Sequence, residues 1–238
     1  VYNTKMESLN NSIGLLETNL SQIEDLTYQF ITSNRVQGCV SEWLEAETEL
    51  ETLAEAVGSG QDKEGAEKEY QRIKTVSVLD IIKELDSSMA KNTNIVAGLY
   101  LAPDGKRYEG YGADKVVISA EKEREILDTA RAYLGDPVYI ISSENQGVKA
   151  LNGEGGPKSR VFIARGIKEK KNLSMRYGGT LIYAVDLELL TSPYTTDYHK
   201  LVIQDDTNSV IFSTLSQEEQ SDFLNHGISS GSDGYEIV

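Results

Sequence analysis

The stretch GGTLIYAVDLELL, residues 178–190, decides the fold, because it predicts a strand that is apolar on both of its faces. Successive side chains of a strand point to opposite faces. One face carries Thr180, Ile182, Ala184 and Asp186, and the other carries Leu181, Tyr183 and Val185. A strand of this kind belongs in a sheet that is covered on both sides, so we expect helices or loops over each face.

Four further segments predict strands of the same sheet. They are rich in β-branched and aromatic residues and are bounded by turn residues. They are IVAGLYL (95–101), KRYEGYG (106–112), PVYIIS (137–142) and SRVFIARGI (159–167). The first two flank the turn APDG (102–105), which predicts a hairpin. Together with residues 178–187 they predict one five-stranded antiparallel sheet, and therefore an α+β fold.

Helices are expected beside and before this sheet. Residues 119–135 begin with a capping Ser119 and stop at Gly135, as a helix does. Residues 2–30 place apolar side chains at alternating spacings of four and three, with Thr27 as the polar interruption. This spacing predicts one helix of about 45 Å. Whether its apolar stripe packs only on its own domain or also forms a dimer stays open.

The rest of the chain predicts a division into three parts. Residues 1–92 are helical in pattern, interrupted by the loop-like GSGQDKEG at 58–65, and residues 93–190 hold the sheet. Residues 191–238 repeat the order strand, turn, strand, helix, and then begin another strand with GYEIV at 234–238. We expect this last part to be the beginning of a second, incomplete lobe.

The order of these elements resembles a known family. A long first helix and helical return, then NIVAGLYLAPDGKRYEGYG, PVYIIS, RVFIARGI and GGTLIYAVDLELL, resemble the extracellular double-Cache, PAS-like sensor regions of bacterial membrane receptors. The resemblance is strongest to Gram-positive sensor histidine kinases of two-component systems. It implies a small-molecule pocket in the membrane-distal lobe, residues 93–190, with residues 191–238 as the membrane-proximal lobe. It also places Asp186 at the aspartate that commonly ends the last strand of that lobe.

The resemblance implies a function as well as a fold. It implies a non-enzymatic sensor on the extracellular side of the cell membrane, which binds a small molecule and no cofactor. The long first helix would pass the signal on, in a homodimeric receptor held by transmembrane segments outside this sequence. Amino-acid-binding members carry an Arg and a Trp near the second strand, whereas Tyr108 and Tyr111 stand there in this chain and its one tryptophan is Trp43.

Seven residues are candidates for ligand binding. Asp186 is expected to bind a cationic group and Arg165, at the end of RVFIAR, an anionic group, or the two are expected to pair. Equally, Asp186 is suited to capping the helix that LELL begins. Tyrosines combine apolar area with a hydroxyl that orients a polar ligand, and we expect roughly two of five at the pocket. The five are Tyr100, Tyr108, Tyr111, Tyr139 and Tyr183.

Composition and missing motifs argue against other classes of protein. A net charge of -15 would repel nucleic acid and anionic lipid headgroups. One cysteine and two histidines do not make an ordinary Cys/His zinc site. GEGGPKS (153–159) is not a phosphate-binding loop, because a proline interrupts it. A structural or protein-interaction module is the main alternative to a sensor, and a hydrolase that uses acidic residues is a third.

Overall fold

Three long helices open the chain. The structure, a computed structural model, describes residues 2–55, 60–141, 147–148, 160–171, 175–195, 200–204 and 210–226. The helices are α1 (Tyr2–Thr32), α2 (Asn34–Glu55) and α3 (Gly60–Met89). The predicted helical region is therefore confirmed. The prediction of a loop at 58–65 is wrong from Gly60 onward, because these residues form the first turns of α3. Polar residues of this kind are compatible with a helix.

The predicted five-stranded sheet is also confirmed. Its strands are β1 (Ile95–Leu101), β2 (Arg107–Glu109), β4 (Pro137–Ile141), β6 (Arg160–Lys168) and β7 (Tyr177–Asp186). They are antiparallel throughout and lie in the spatial order β2-β1-β7-β6-β4. A separate two-stranded ribbon pairs β3 (Val116–Val117) with β5 (Gly147–Val148). The strand GGTLIYAVD thus lies at the centre of the sheet, as its two apolar faces require.

The helix beside the sheet is α4 (Ala120–Ala132). Its start follows the sequence signal, since Ser119 Oγ accepts a hydrogen bond from the Lys122 backbone N–H at 3.2 Å. After its end the chain turns at Gly135, whose φ is +94°, a value that glycine adopts without strain. The predicted helix boundaries are confirmed to within three residues.

Short elements follow the sheet. They are α5 (Leu187–Thr191), β8 (Val202–Gln204), β9 (Val210–Ser213) and α6 (Gln217–His226). Strands β8 and β9 form the predicted antiparallel hairpin. The predicted strand GYEIV, residues 234–238, lies outside the described residues. The long helix α1 reaches this part of the chain, because Asn19 Nδ2 donates to Tyr194 Oη at 2.6 Å.

Two hydrophobic cores lie on the two faces of the sheet. The helix-side core joins α1, α2 and α3 to one face, and its largest side chains include Trp43, Tyr100, Tyr183 and Phe30. The α4-side core joins Ile126 of α4 and Val116 of the ribbon to the other face. In the part of the chain that the structure describes, no helix has the length and apolar character to cross a membrane.

Candidate ligand site

The α4 side of the sheet is lined by small side chains near its Asp186 end. Ala97 of β1 lies opposite Ala184 of β7, and Phe162 of β6 flanks Ala184 on its other side. All three are buried in the α4-side core. The two alanines are therefore the small side chains of the α4-side core nearest the carboxylate-bearing end of β7, whereas Tyr183 and Val185 occupy the same end of β7 on the helix side.

The two ends of this face are covered by different elements. Helix α4 lies over the end away from Asp186, where Arg131 Nη2 donates to the Pro103 carbonyl at 3.3 Å and its guanidinium lies 4.4 Å from the Tyr177 ring. The β3–β5 ribbon contacts the Asp186-bearing strand β7 through β5. The candidate site is therefore the part of the sheet face between α4 and the ribbon, beside Asp186.

A β-bulge shapes the edge of this site. The pairing of β1 with β7 shifts by one residue between Ile95 and Ala97, so Val96 also packs against the α4-side core. The loop before the ribbon presses on this bulge at Gly112, where a Cβ atom would lie 2.1 Å from the Val96 carbonyl oxygen. Gly112 has a φ of +76°, so the close approach and the turn both require glycine.

Asp186 caps the short helix α5. Its Oδ1 accepts hydrogen bonds from the backbone N–H groups of Glu188 at 2.9 Å and Leu189 at 3.3 Å. Its own N–H donates to the Asn94 carbonyl at 2.9 Å. The capping interpretation is confirmed. It does not exclude the binding interpretation, because a carboxylate has two oxygens and accepts several hydrogen bonds.

The expectation that Asp186 and Arg165 act together is wrong. Alternation along β7 places Asp186 on the same face as Ala184, whose side chain belongs to the α4-side core. Arg165 lies on the opposite face, where its Nε donates to Thr27 Oγ1 of α1 at 2.8 Å. The sheet separates the two charges, so they do not form one binding site or one ion pair.

Four of the five candidate tyrosines lie on the helix side of the sheet, opposite the face of Asp186. Tyr100 and Tyr183 are fully buried, and their hydroxyls donate to the Gly178 carbonyl and to Ser88 Oγ, each at 2.7 Å. Burial raises the pKa of both hydroxyls, so they stay protonated. Tyr108 stacks on Tyr100 with ring centroids 6.2 Å apart, and Tyr139 bonds to Glu24 of α1.

Tyr111 is the remaining candidate of the five. Its side chain is 70% exposed, and its backbone N–H donates to Asp86 Oδ1 at 2.7 Å. It directly precedes Gly112 and the 3-10 turn at Ala113, whose side chain belongs to the α4-side core. Tyr111 therefore lies in the segment that leads into the candidate site.

One residue that the sequence interpretation did not select lies at the site. The register of β6 and β7 places Arg160 directly opposite Asp186. Strand alternation alone could have found it only if the pairing of the two strands had been known. Among the described residues no cluster of three or more His, Cys, Asp or Glu side chains is arranged to hold a metal ion.

Comparison with known proteins gives structural similarity only. No protein-family model and no curated protein matches the sequence. The ligand-binding domain of the Campylobacter jejuni chemoreceptor Tlp3 in complex with L-norvaline is similar at 10% identity and a TM-score of 0.42, over 91% of this chain and 75% of that chain. The sensory domain of the same chemoreceptor with isoleucine bound is 9% identical with a TM-score of 0.40, over 90% of this chain and 78% of that chain.

A third similar structure is a domain from Vibrio parahaemolyticus, of a protein described as belonging to the sensory box/GGDEF family. It is 15% identical with a TM-score of 0.41, over 83% of this chain and 74% of that chain. All of these TM-scores lie below 0.5.

Proposed function

We propose that this chain is the extracellular ligand-sensing region of a bacterial membrane receptor and binds a small molecule beside Asp186. The observation that supports this proposal is the contrast between the two faces of the sheet. At the Asp186 end of β7, Tyr183 and Val185 occupy the helix side, whereas Ala97 and Ala184 lie on the α4 side, the face of the Asp186 carboxylate. Sites that recognise small molecules are usually lined by apolar groups with a few polar groups among them.

The chemistry of the site favours a small ligand with a cationic group and a short apolar part. The Asp186 carboxylate attracts an ammonium group, and its low exposure of 8% strengthens that attraction relative to water. Ala97, Ala184 and Phe162 offer apolar contact. Aliphatic amino acids and alkylamines meet both requirements, and L-norvaline and isoleucine, held by the Tlp3 domains, are compounds of this type.

The receptor context is part of the proposal. Residues 93–190 would be the membrane-distal lobe and residues 191–238 part of the membrane-proximal lobe, while residues 1–92 carry the helices that pass the signal on. The receptor would be a homodimer in the cell membrane, anchored by transmembrane segments outside this sequence, and its parent a sensor histidine kinase of Gram-positive type. The contact of Asn19 with Tyr194 supports a role for α1 in linking the two lobes.

A thermal-shift titration with L-valine, L-norvaline, isoleucine and n-butylamine tests the proposal. Asp186→Asn removes the charge and keeps a capping side chain, and Ala184→Leu enlarges a side chain on the face of Asp186 without changing charge. The matched controls are Asp128→Asn and Ala132→Leu, at exposed positions of α4. At a hundredfold excess over Kd, we expect a ligand to raise the Tm of the parent and of both controls by about 5–10 °C.

The same shift should be absent from Asp186→Asn and Ala184→Leu. A shift that persists in both variants would place the ligand elsewhere and contradict the proposed site. If these four compounds and a wider screen of amines, amino acids, carboxylic acids and sugars all leave the Tm of the parent protein unchanged, the sensor proposal fails. The structural or protein-interaction module then becomes the better interpretation.

A further inference from the structure

Two polar side chains interrupt apolar stretches of the sequence, and they meet in the structure. Thr27 interrupts the apolar stripe of α1, and Arg165 interrupts the apolar strand β6. Both are buried, with exposed fractions of 0% and 6%. Arg165 Nε donates to Thr27 Oγ1 at 2.8 Å, and the Thr27 hydroxyl donates in turn to the Glu24 carbonyl at 2.6 Å. The threonine hydroxyl is thus used both as acceptor and as donor.

A second nitrogen of the same guanidinium binds the turn that follows α4. Arg165 Nη1 donates to the Gly135 carbonyl at 2.7 Å. Gly135 lies in the turn that leaves α4 for β4 and adopts a φ of +94°. Helix α1 covers the helix side of the sheet, and α4 covers the opposite side. One buried side chain therefore joins elements that lie on the two faces.

Helix α4 is held closely against the strand at this point. A Cβ atom on Gly166, the residue after Arg165, would lie 2.5 Å from the Ala130 carbonyl oxygen in the last turn of α4. The helix backbone therefore rests directly on β6 beside the guanidinium. A shift of the last turn of α4 would therefore disturb β6 beside Arg165, and it would also act on the turn whose Gly135 carbonyl Arg165 binds.

We infer that Arg165 is a positioning residue that couples α4, on one face of the sheet, to α1, on the other. A guanidinium suits this role, because its planar fork holds two acceptors in a fixed geometry that a lysine ammonium does not impose. The hydrogen bonds of Arg165 go to the Thr27 hydroxyl and the Gly135 carbonyl, and its guanidinium also lies 5.7 Å from the ring of Tyr28 in α1. The guanidinium is thus committed to the two elements that it joins.

The use of this coupling to carry a ligand signal rests on the proposed function. The coupling itself belongs to the fold and is tested without any ligand. Ile126→Ala loosens α4, because Ile126 is fully buried between α4 and the sheet. Amide hydrogen exchange measured by mass spectrometry then follows residues 20–31 of α1, residues 120–132 of α4 and residues 78–89 of α3. The α3 segment reports the loss of global stability that any core substitution causes.

With Arg165 present, we expect Ile126→Ala to accelerate exchange in α1 by about fivefold more than in α3. In the Arg165→Met background, α4 should still respond to Ile126→Ala, while α1 and α3 should accelerate by the same factor. Thr27→Val removes the acceptor from the other partner and should uncouple α1 in the same way. It also serves as the second route if Arg165→Met does not fold.

Two controls keep the test specific. Thr27→Ser retains the hydroxyl and should retain the coupling. Tyr183→Phe removes the bond from the sheet to Ser88 of α3 and should leave the α1 response intact. The inference is overturned if α1 responds to Ile126→Ala no more than α3 does in the parent. It is also overturned if the excess response of α1 survives both Arg165→Met and Thr27→Val.

Discussion

The two faces of the sheet bury acids in different ways. On the helix side, Glu169 is 1% exposed and accepts hydrogen bonds from Arg176 Nε at 2.8 Å, Arg176 Nη2 at 3.1 Å and Ser41 Oγ at 2.9 Å. On the α4 side, Asp186 is 8% exposed and its Oδ1 accepts from the backbone of α5. Glu169 is thus held by the guanidinium of Arg176, and Asp186 caps the N-terminus of a helix.

The difference separates framework from site. Arg176 also donates to the Leu44 carbonyl and to Thr48 Oγ1, each at 3.0 Å, so the Glu169 pair fastens the sheet to α2. The core on this side contains the large buried rings of Trp43, Tyr100 and Tyr183, whereas Ala184 is the neighbour of Asp186 on its own face of β7. Substitutions on the helix side should therefore cost stability, and under the proposed function substitutions beside Asp186 should also cost ligand binding.

The largest expected effect is the loss of a helix-side ring. Trp43 is 1% exposed, its Nε1 donates to Tyr70 Oη at 3.4 Å, and Lys74 Nζ lies 5.2 Å from its ring. Trp43→Ala leaves a cavity and should lower the free energy of unfolding by about 3–5 kcal/mol. Urea unfolding followed by circular dichroism measures it.

The matched control for that loss is Tyr133→Ala, at an aromatic that is 60% exposed, with an expected change within about 0.5 kcal/mol. If Trp43→Ala lowers the free energy of unfolding no more than the control does, the helix side is loosely packed. The proposed difference in packing between the two faces of the sheet would then be wrong.

The Glu169 clamp ranks second. Glu169→Ala leaves the half-buried Arg176 guanidinium without its carboxylate partner. We expect this change to lower the free energy of unfolding by about 3 kcal/mol. Glu169→Gln keeps hydrogen-bonding capacity and should cost less. The exposed Glu55→Ala serves as control for the loss of one negative charge. Equal unfolding free energies for Glu169→Ala and Glu55→Ala would show that the clamp contributes nothing to the framework.

The elements of this fold could be predicted because their signals are local. The alternating four- and three-residue spacing gave α1, and the doubly apolar run at 178–187 gave the central strand. Ser119 and Gly135 marked the limits of α4. The ribbon of β3 and β5 was not predicted, because a strand of two residues is too short to show a period.

The candidate site was harder to predict, because it depends on how strands pair. Arg165 lies opposite Leu181, which puts it on the helix side, while Arg160 lies opposite Asp186. Both facts follow from a register that no single strand reveals. For Tyr183, by contrast, alternation along its own strand already separated it from Asp186. Long-range pairing rather than residue chemistry limited the prediction.

The third effect tests the two roles of Asp186. Asp186→Ala removes the cap of α5 and should lower the free energy of unfolding by about 1 kcal/mol. Asp186→Asn should leave stability near that of the parent, because asparagine caps a helix as well as aspartate does. Chemical denaturation of the three proteins without ligand measures both. If Asp186→Asn is as unstable as Asp186→Ala, the carboxylate charge supports the fold and is not specific to a ligand.

The smallest effect concerns a third acid, Glu47. Unlike Glu169, which a guanidinium stabilises, Glu47 is expected to lower the stability of the folded state at neutral pH, because it is partly buried. Burial, followed by the nearby charges of Glu51 and Asp104, raises the pKa of Glu47 above its ordinary value of 4.5. The folded state then binds a proton more tightly than the unfolded state does. At neutral pH the ionised carboxylate opposes folding, and this cost disappears as the pH falls below the ordinary value.

Glu47→Gln should therefore have a slightly higher Tm than the parent at pH 7, and the difference should shrink toward zero as the pH falls below the ordinary value. Thermal unfolding across a series of buffers measures the difference at each pH. Glu49→Gln, at an exposed position of the same helix, corrects for removing one charge from a protein of net charge -15. If Glu47→Gln lowers the Tm at pH 7, this acid is stabilised by partners as Glu169 is, and burial alone does not set its cost.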